Sequence, residues 1–132
     1  MNNGKGSLLA KKRKEKGLNQ IDIVRATKFS RHQIMGFEMG RQVPSILALK
    51  EIAPVIGCDY HELIDPSLYE ALEGSPLARM RKRYGYTQKQ LADKIGRSQK
   101  LVSAWEKETR VANADLLQEM AAVLECEVED LI

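Results

Sequence analysis

The feature that most constrains the fold of this chain is an internal repeat. When the sequence is shifted by 68 positions, residues 9–64 align with residues 77–132 without a gap. Identical residues recur along the whole alignment: Leu9/Leu77, Arg13/Arg81, Gly17/Gly85, Gln20/Gln88, Ser30/Ser98, Glu38/Glu106, Leu49/Leu117, Ala53/Ala121, Cys58/Cys126 and Leu63/Leu131. Conservative apolar pairs such as Ile34/Val102 and Phe37/Trp105 lie between them. We therefore interpret the chain as two copies of one small unit.

Each copy has the apolar spacing of short helices, and no stretch alternates apolar and polar residues as a half-buried strand does. Polar residues that can cap helices, such as Thr87, Ser98 and Asn113, predict helix starts, and Gly85 and Gly96 predict helix ends. In the first copy the predicted helices cover about residues 8–16, 20–27, 31–39, 45–56 and 59–64. The fold class is therefore all-α, with two tandem five-helix domains.

The domain boundaries follow from the repeat. We predict a flexible N-terminus at residues 1–7, one domain at 8–64, a linker at 65–75 and a second domain at 76–132. The linker, DPSLYEALEGS, has Pro66 near its start and Gly74-Ser75 at its end, with one or two helical turns possible inside. Its 11 residues could extend to roughly 36–40 Å.

Charge and composition exclude several classes of protein. Residues 1–64 carry 11 Lys and Arg against 6 Asp and Glu, a net charge of +5, and residues 65–132 carry −2. The first half should therefore attract a polyanion more strongly. No apolar run approaches a membrane span or a secretory signal, and two cysteines without an export signal favour reduced thiols in the cytoplasm. No catalytic motif is present, so we expect no enzyme activity, cofactor, metal or small-molecule ligand.

Two short helices joined by about three residues, the second with a polar outer face, are typical of a helix-turn-helix. The second copy, RKRYGYTQKQLADKIGRSQKLVSAWEKE with NADLLQEMAAVLECEVEDLI, resembles the helix-turn-helix domain of the Cro and phage-repressor type, also called XRE-like. The first copy, KKRKEKGLNQIDIVRATKFSRHQIMGFEMGRQVPS with ILALKEIAPVIGCDYHELI, resembles the same domain. The resemblance implies two lambda-repressor-like folds and double-stranded DNA as the partner.

The resemblance also implies which residues meet DNA, because in this family the third helix enters the major groove. The matching base-reading positions are Arg31, His32, Met35, Gln99, Lys100 and Ser103. Candidates for contact with the DNA backbone, or for positioning the reading helix, are Asn19, Gln20, Arg41, Thr87, Gln88, Lys107 and Arg110. Arg13 with Glu38, and Arg81 with Glu106, match the family's structural ion pair between the first and third helices.

Other features are better explained by packing. Phe37 and Trp105 share a face with apolar neighbours, which favours core packing over base stacking. Cys58 and Cys126 can fill the core as small hydrophobes. The spacing of Cys58 and His61 resembles that of metal ligands, but Glu129 replaces His61 in the second copy and no further ligands are near.

The first copy departs from the family pattern. Lys28 stands where a left-handed turn glycine is expected, and Gly36 leaves a position without a base-reading side chain. Met39 removes a possible phosphate contact, and Pro54 should kink or shorten the fourth helix.

The sequence therefore predicts a cytoplasmic, sequence-specific DNA-binding transcriptional regulator that acts as a repressor and reads two unlike half-sites. The alternative is an antiactivator or antitoxin-like protein-interaction module in which one or both copies dock a partner protein. Leu101, expected to be exposed beside the reading face, and the acidic second half favour that alternative. Self-association or a regulatory protein partner also remains possible at this stage.

Overall fold

The computed structural model describes residues 7–132 and divides the chain into two compact units, Met1–Ala71 (unit 1) and Leu72–Ile132 (unit 2). Residues 65–71 of the predicted linker belong to unit 1 and residues 72–75 to unit 2. The predicted flexible N-terminus at residues 1–7 lies outside the described residues, except that the first helix begins at Ser7. The described residues form helices and no strand.

Unit 1 contains four α-helices followed by two 3₁₀ helices. They are α1 (Ser7–Glu15), α2 (Gln20–Ala26), α3 (Arg31–Met39), α4 (Ile46–Ile56) and the 3₁₀ helices Tyr60–Leu63 and Pro66–Tyr69. The fifth helix predicted for this unit is thus a 3₁₀ turn. Its core contains Ile23 of α2, Ile34 of α3, and Leu49 and Ile52 of α4, all fully buried. Burying each of these side chains stabilises the unit by about 1.5–3 kcal/mol.

Unit 2 follows the same order with α5 (Pro76–Tyr84), α6 (Gln88–Ile95), α7 (Gln99–Glu106), α8 (Ala114–Leu124) and the 3₁₀ helix Val128–Leu131. Leu91, Val102, Met120 and Leu124 are almost completely buried. Trp105 is only 8% exposed, so it packs inward and is not available to stack on a base.

Local sequence explains where most helices begin. The side chains of Ser30, Ser45, Ser75, Thr87, Ser98 and Asn113 each accept a hydrogen bond from a backbone N–H in the first turn of the helix that follows. Each cap satisfies a donor that has no partner within the helix and contributes about 1 kcal/mol.

The structure contradicts two expectations for the first copy, the left-handed turn at Lys28 and the shortening of the fourth helix by Pro54. Lys28 does not adopt a left-handed conformation, because α2 already ends at Ala26 and Thr27 is extended, with φ −129° and ψ 177°. The Thr27 hydroxyl donates to the Ile23 carbonyl at 2.9 Å, which closes the helix without a glycine. Pro54 does not shorten α4, which has 11 residues like α8, and its ring is exposed to solvent.

The first part of the predicted linker is ordered against unit 1. Asp65 caps the 3₁₀ helix Pro66–Tyr69, in which Leu68 and Tyr69 are 5% and 8% exposed. The Tyr69 hydroxyl donates to the buried Pro44 carbonyl at 2.8 Å. On the other side of Ala71, the Lys82 ammonium donates to the Glu73 carbonyl at 3.0 Å. The connector is therefore tied at both ends.

Candidate nucleic-acid interface

The turn between α6 and α7 presents the first residues of α7 to solvent. α6 ends at Gly96, whose φ of 68° is readily adopted by glycine, and the Arg97 N–H donates to the Ala92 carbonyl at 2.9 Å. Ser98 then caps α7. In consequence Gln99 and Lys100 are exposed on the first turn of α7, while Val102 of the same helix is fully buried. The helix therefore packs with one face and leaves the other open.

An arginine–glutamate pair fixes α1 to the end of α3 in unit 1. Arg13 donates from Nε to Glu38 Oε2 at 2.7 Å and from Nη2 to Oε1 at 2.9 Å, and its Nη1 donates to the Leu18 carbonyl at 2.8 Å. The two side chains are only 10% and 5% exposed. The hydrogen bond with Glu38 raises the pKa of Arg13 above its ordinary value, so the guanidinium remains charged at any pH at which the protein is folded.

The same arrangement recurs 68 positions later. Arg81 donates to the two carboxylate oxygens of Glu106 at 2.5 and 3.1 Å, and its Nη1 donates to the Tyr86 carbonyl at 2.9 Å. These side chains are 12% and 7% exposed. Because three guanidinium donors are satisfied at once, the pair is a directional contact between α5 and α7. The structure thus brings together both predicted ion pairs.

A glutamine at the start of α2 or α6 completes each network. Gln20 Nε2 donates to Glu38 Oε1 at 3.0 Å, and Gln88 Nε2 donates to Glu106 Oε1 at 2.9 Å. The amide nitrogen must face the carboxylate, since an ionised carboxylate only accepts hydrogen bonds. Each glutamine therefore connects the beginning of one helix to the end of the next.

The predicted base-reading residues lie on α3 and α7. Arg31, His32, Gln99 and Lys100 are exposed, whereas Met35 and Ser103 are half-buried. All six stand on a helix whose opposite side is buried in the core of its unit. The first four therefore present hydrogen-bonding groups to solvent.

The predicted backbone contacts are more varied. Asn19, Arg41, Thr87, Lys107 and Arg110 are exposed, and Gln20 and Gln88 are half-buried. The Thr87 hydroxyl accepts a hydrogen bond from the Gln90 N–H at 3.0 Å, so its first role is to cap α6. Arg41 Nη2 lies 3.6 Å from the sulfur of Met39.

Two residues are more buried in the structure than the sequence predicts. Gly36, expected to be an empty reading position, is buried, and a Cβ there would lie 3.0 Å from the side chain of Gln42. Gln42 therefore covers the place where a longer side chain would point. Leu101, expected to be exposed, is half-buried.

Sequence reasoning missed some residues near these faces. Arg97, which precedes the cap of α7, is exposed. Ile21, at the start of α2, is 38% exposed. Ile21 lines a surface cavity together with Asn19, Gln20 and Arg31. The signal available in the sequence was the pairing of Ile21 with Lys89 across the repeat.

The cysteines are free and half-buried. Burial is the main cause that raises the pKa of Cys58, and it raises the pKa of Cys126 to about 11. Both therefore remain neutral thiols near pH 7. His61 Nδ1 lies 2.6 Å from Asp59 Oδ1, and within residues 7–132 no three His, Cys, Asp or Glu side chains are grouped as metal ligands. Across the same residues, no helix has the length and apolar character that crossing a membrane requires.

Comparison with known proteins identifies the family. The model of the helix-turn-helix family matches residues 77–131, from α5 to the last 3₁₀ helix of unit 2. A protein named as an uncharacterized HTH-type transcriptional regulator, y4dJ, of Sinorhizobium fredii is 36% identical over 62 residues, which cover 47% of this chain and 80% of that protein.

A second relative, named the ImmF control region 10 kDa protein of Bacillus phage phi105, is 40% identical over 58 residues, 44% of this chain and 64% of that protein. No solved structure matches the chain significantly. The capped helix α7 and its anchoring network thus lie in a chain that is similar to y4dJ, a protein named as a transcriptional regulator, and that matches the helix-turn-helix family. The chain belongs to the XRE-like helix-turn-helix family of DNA-binding transcriptional regulators.

Proposed function

We propose that this protein is a cytoplasmic transcriptional repressor in which units 1 and 2 are tandem helix-turn-helix domains that read two unlike half-sites of double-stranded DNA. The observation that carries the proposal is the repeated anchor. Arg13, Gln20 and Glu38 in unit 1 make the same set of hydrogen bonds as Arg81, Gln88 and Glu106 in unit 2. Both α3 and α7 are thereby held with their outer faces exposed.

The chemistry of the two faces supports unlike half-sites. Arg31 can donate to both the O6 and N7 acceptors of guanine, whereas Gln99 can pair with the N6 and N7 groups of adenine. Lys100 favours guanine acceptors, and His32 is exposed beside Arg31. Because the two sets differ, a single chain spanning both half-sites prefers an operator that is not a perfect palindrome.

Repression by occupancy of DNA is the simplest mechanism for such a chain. Covalent linkage raises the effective concentration of the second domain to about the millimolar range once the first is bound. The pair can therefore bind tightly even if each domain alone binds weakly. A bound regulator excludes polymerase from the same segment by steric overlap.

Site selection from random duplex DNA tests the proposal. We expect a preferred site with two different half-sites. Arg31→Ala should weaken the base preference in one half, and Gln99→Ala should weaken it in the other. Each lost bidentate contact should reduce discrimination at its position by about 1–3 kcal/mol. A perfectly symmetric preferred site, or a weaker base preference in the same half for both variants, would contradict a chain that spans two half-sites.

A second candidate function is docking of a partner protein by one or both units. The observation that favours it is the apolar exposure on unit 1, where Ile21 and Met39 are 38% and 62% exposed. A titration with random-sequence duplex at 50 and 200 mM salt separates the candidates. A domain that contacts 6–10 phosphates loses about 10³–10⁵ in affinity over this range, whereas a protein-docking unit shows little affinity for DNA at either salt concentration.

A further inference from the structure

The outer faces of α3 and α7 differ in one consistent respect. Arg31, Met35 and Met39 follow one another at four-residue spacing, so they share a stripe on α3. The equivalent positions of unit 2 are Gln99 and Ser103 of α7 and Lys107, the residue that follows α7. Two thioethers thus stand where unit 2 has a hydroxyl and an ammonium group.

The apolar character extends beyond α3. Ile21 stands where unit 2 has Lys89, and it lines the same surface cavity as Arg31. Met39 is 62% exposed and Ile21 38% exposed, while Met35 is half-buried. Core packing does not explain why Ile21 and Met39 remain this accessible.

Only one apolar group lies on the base-pair edges of the major groove, and it is the C5-methyl group of thymine. A thioether is a weak acceptor and an isoleucine has no polar group, so neither can read a base through strong hydrogen bonds. Both can bury a methyl group, and methionine adapts its shape to do so. The stripe on unit 1 therefore fits a methyl-bearing base beside a guanine held by Arg31.

We propose that unit 1 selects its half-site through thymine methyl groups, which Met35 contacts with support from Ile21 and Met39, whereas unit 2 selects by hydrogen bonding. This inference rests on the proposed function and names the chemical group by which unit 1 recognises DNA.

The surrounding charge favours DNA over a protein as the occupant of this face. Arg31, His32 and Arg41 are exposed among the apolar side chains, and residues 1–64 carry a net charge of +5. Methionine and arginine also occur often in protein–protein interfaces, so it is the excess of positive charge that favours DNA. Apolar side chains interleaved with cations suit a groove that presents methyl groups between two lines of phosphates.

Replacement of thymine by uracil tests the inference, because it removes the methyl group and leaves the hydrogen-bonding edge unchanged. Thymines would be replaced one at a time in both halves of the selected site. In the half whose base preference Arg31→Ala weakens, we expect Kd to rise roughly fourfold for each contacted methyl group, the equivalent of about 0.8 kcal/mol. In the other half we expect less than a twofold change.

Two variants link the effect to the stripe. Met35→Ala should bind the thymine and uracil duplexes with nearly equal affinity, and the matched change Ser103→Ala in unit 2 should leave the wild-type ratio intact. Far-UV circular dichroism verifies that both variants remain folded. If folded Met35→Ala keeps the full preference for thymine over uracil, Met35 does not contact the methyl group.

The inference and the proposed function fail in different ways. Absence of any sequence-specific duplex binding would contradict the proposed function. A specific site whose Arg31-dependent half lacks thymine, or is insensitive to uracil, would overturn the inference alone. A specific site that depends on Gln99 and not on Arg31 would also overturn it, and would indicate that the apolar face of unit 1 meets a protein.

Discussion

Two glutamates of unit 2 hold backbone conformations that favour glycine. Glu108 has φ 61° and Glu125 has φ 55°, and the equivalent residues of unit 1 are Gly40 at 79° and Gly57 at 85°. A residue with a Cβ in the left-handed region costs roughly 1 kcal/mol or more. Unit 2 therefore stores backbone strain at positions where unit 1 has none.

Glu108→Gly should raise the free energy of unfolding of unit 2 by up to about 1 kcal/mol, because the strain disappears. Urea denaturation measures the change. Lys107→Gly is the control, since φ at Lys107 is −83° and glycine there should lower stability by about 0.5–1 kcal/mol. If both variants lose the same free energy of unfolding, the left-handed conformation of Glu108 does not destabilise unit 2.

The thiol of Cys126 should be slow to alkylate. Its pKa of about 11 leaves roughly one molecule in a thousand as thiolate at pH 8, whereas an ordinary cysteine near pKa 8.5 is about one-quarter ionised. Labelling by iodoacetamide, followed by mass spectrometry, should therefore be at least 100-fold slower than in the urea-unfolded chain. The folded-state rate should rise about tenfold per pH unit up to pH 10, and a plateau near pH 9 would contradict the raised pKa.

Sequence reasoning located individual side chains well where helix periodicity alone decides the direction. Arg31, His32, Gln99 and Lys100 were expected to be outward because they lie opposite the apolar spacing, and all four are exposed in the structure. Gly36 was misjudged because the side chain that covers it, Gln42, comes from the loop after the helix. No local pattern reports such a contact.

At the scale of helices, the network at the end of α7 links stability to orientation. Glu106 accepts hydrogen bonds from both Arg81 and Gln88, and it is 7% exposed. Removing one charge of a buried pair costs about 3–5 kcal/mol, since the other charge is left uncompensated. The free energy lost on removing Glu106 is therefore larger than the net stabilisation that the intact ion pair provides.

Glu106→Gln should destabilise unit 2 by a few kcal/mol and should weaken DNA binding beyond the loss of folded protein, because α7 is no longer held at its angle. Affinity is measured at a temperature where unfolding curves show the variant to be fully folded. Glu38→Gln makes the matched change in unit 1 and should affect the other half of the site. If the folded variant binds DNA with unchanged affinity, the network stabilises unit 2 but does not orient α7 for binding.

Helix boundaries were largely predictable, because caps and glycines act within a few residues. The predicted caps are found in the structure: Ser98 precedes α7, Asn113 precedes α8 and Gly96 follows α6. The end of α2 was not predictable from the glycine rule. A Thr27 hydroxyl that bonds back to the Ile23 carbonyl ends the helix by a different local device.

For the whole molecule, the repeat predicts the shared order of helices that the structure has in the two units. It could not predict the course of the connector, since the bond between Tyr69 and Pro44 joins residues 25 positions apart. Only residues 70–72 lie between the last anchor of unit 1 at Tyr69 and the first of unit 2 at Glu73. The stretch between these two hydrogen bonds is thus much shorter than the 11-residue linker.

If both units bind DNA, affinity should depend steeply on the spacing of the half-sites. Three free residues extend to about 10 Å, and about five inserted base pairs rotate one half-site to the opposite face of the duplex. Such an insertion should reduce affinity to that of one unit alone, as measured by fluorescence anisotropy. A chain lengthened with glycine and serine after Ala71 should recover part of the loss, and equal affinity at every spacing would contradict binding by both units.

The tie at Tyr69 then has an evolutionary consequence. Tyr69→Ala would remove one tie of this segment to unit 1, and replacing the buried Leu68 as well would release it and lengthen the slack between the units, without altering any residue predicted to contact DNA. Operators with wider gaps would then become usable through a few changes outside the reading helices. The choice of genes and the recognition of bases could thus diverge independently in such a protein.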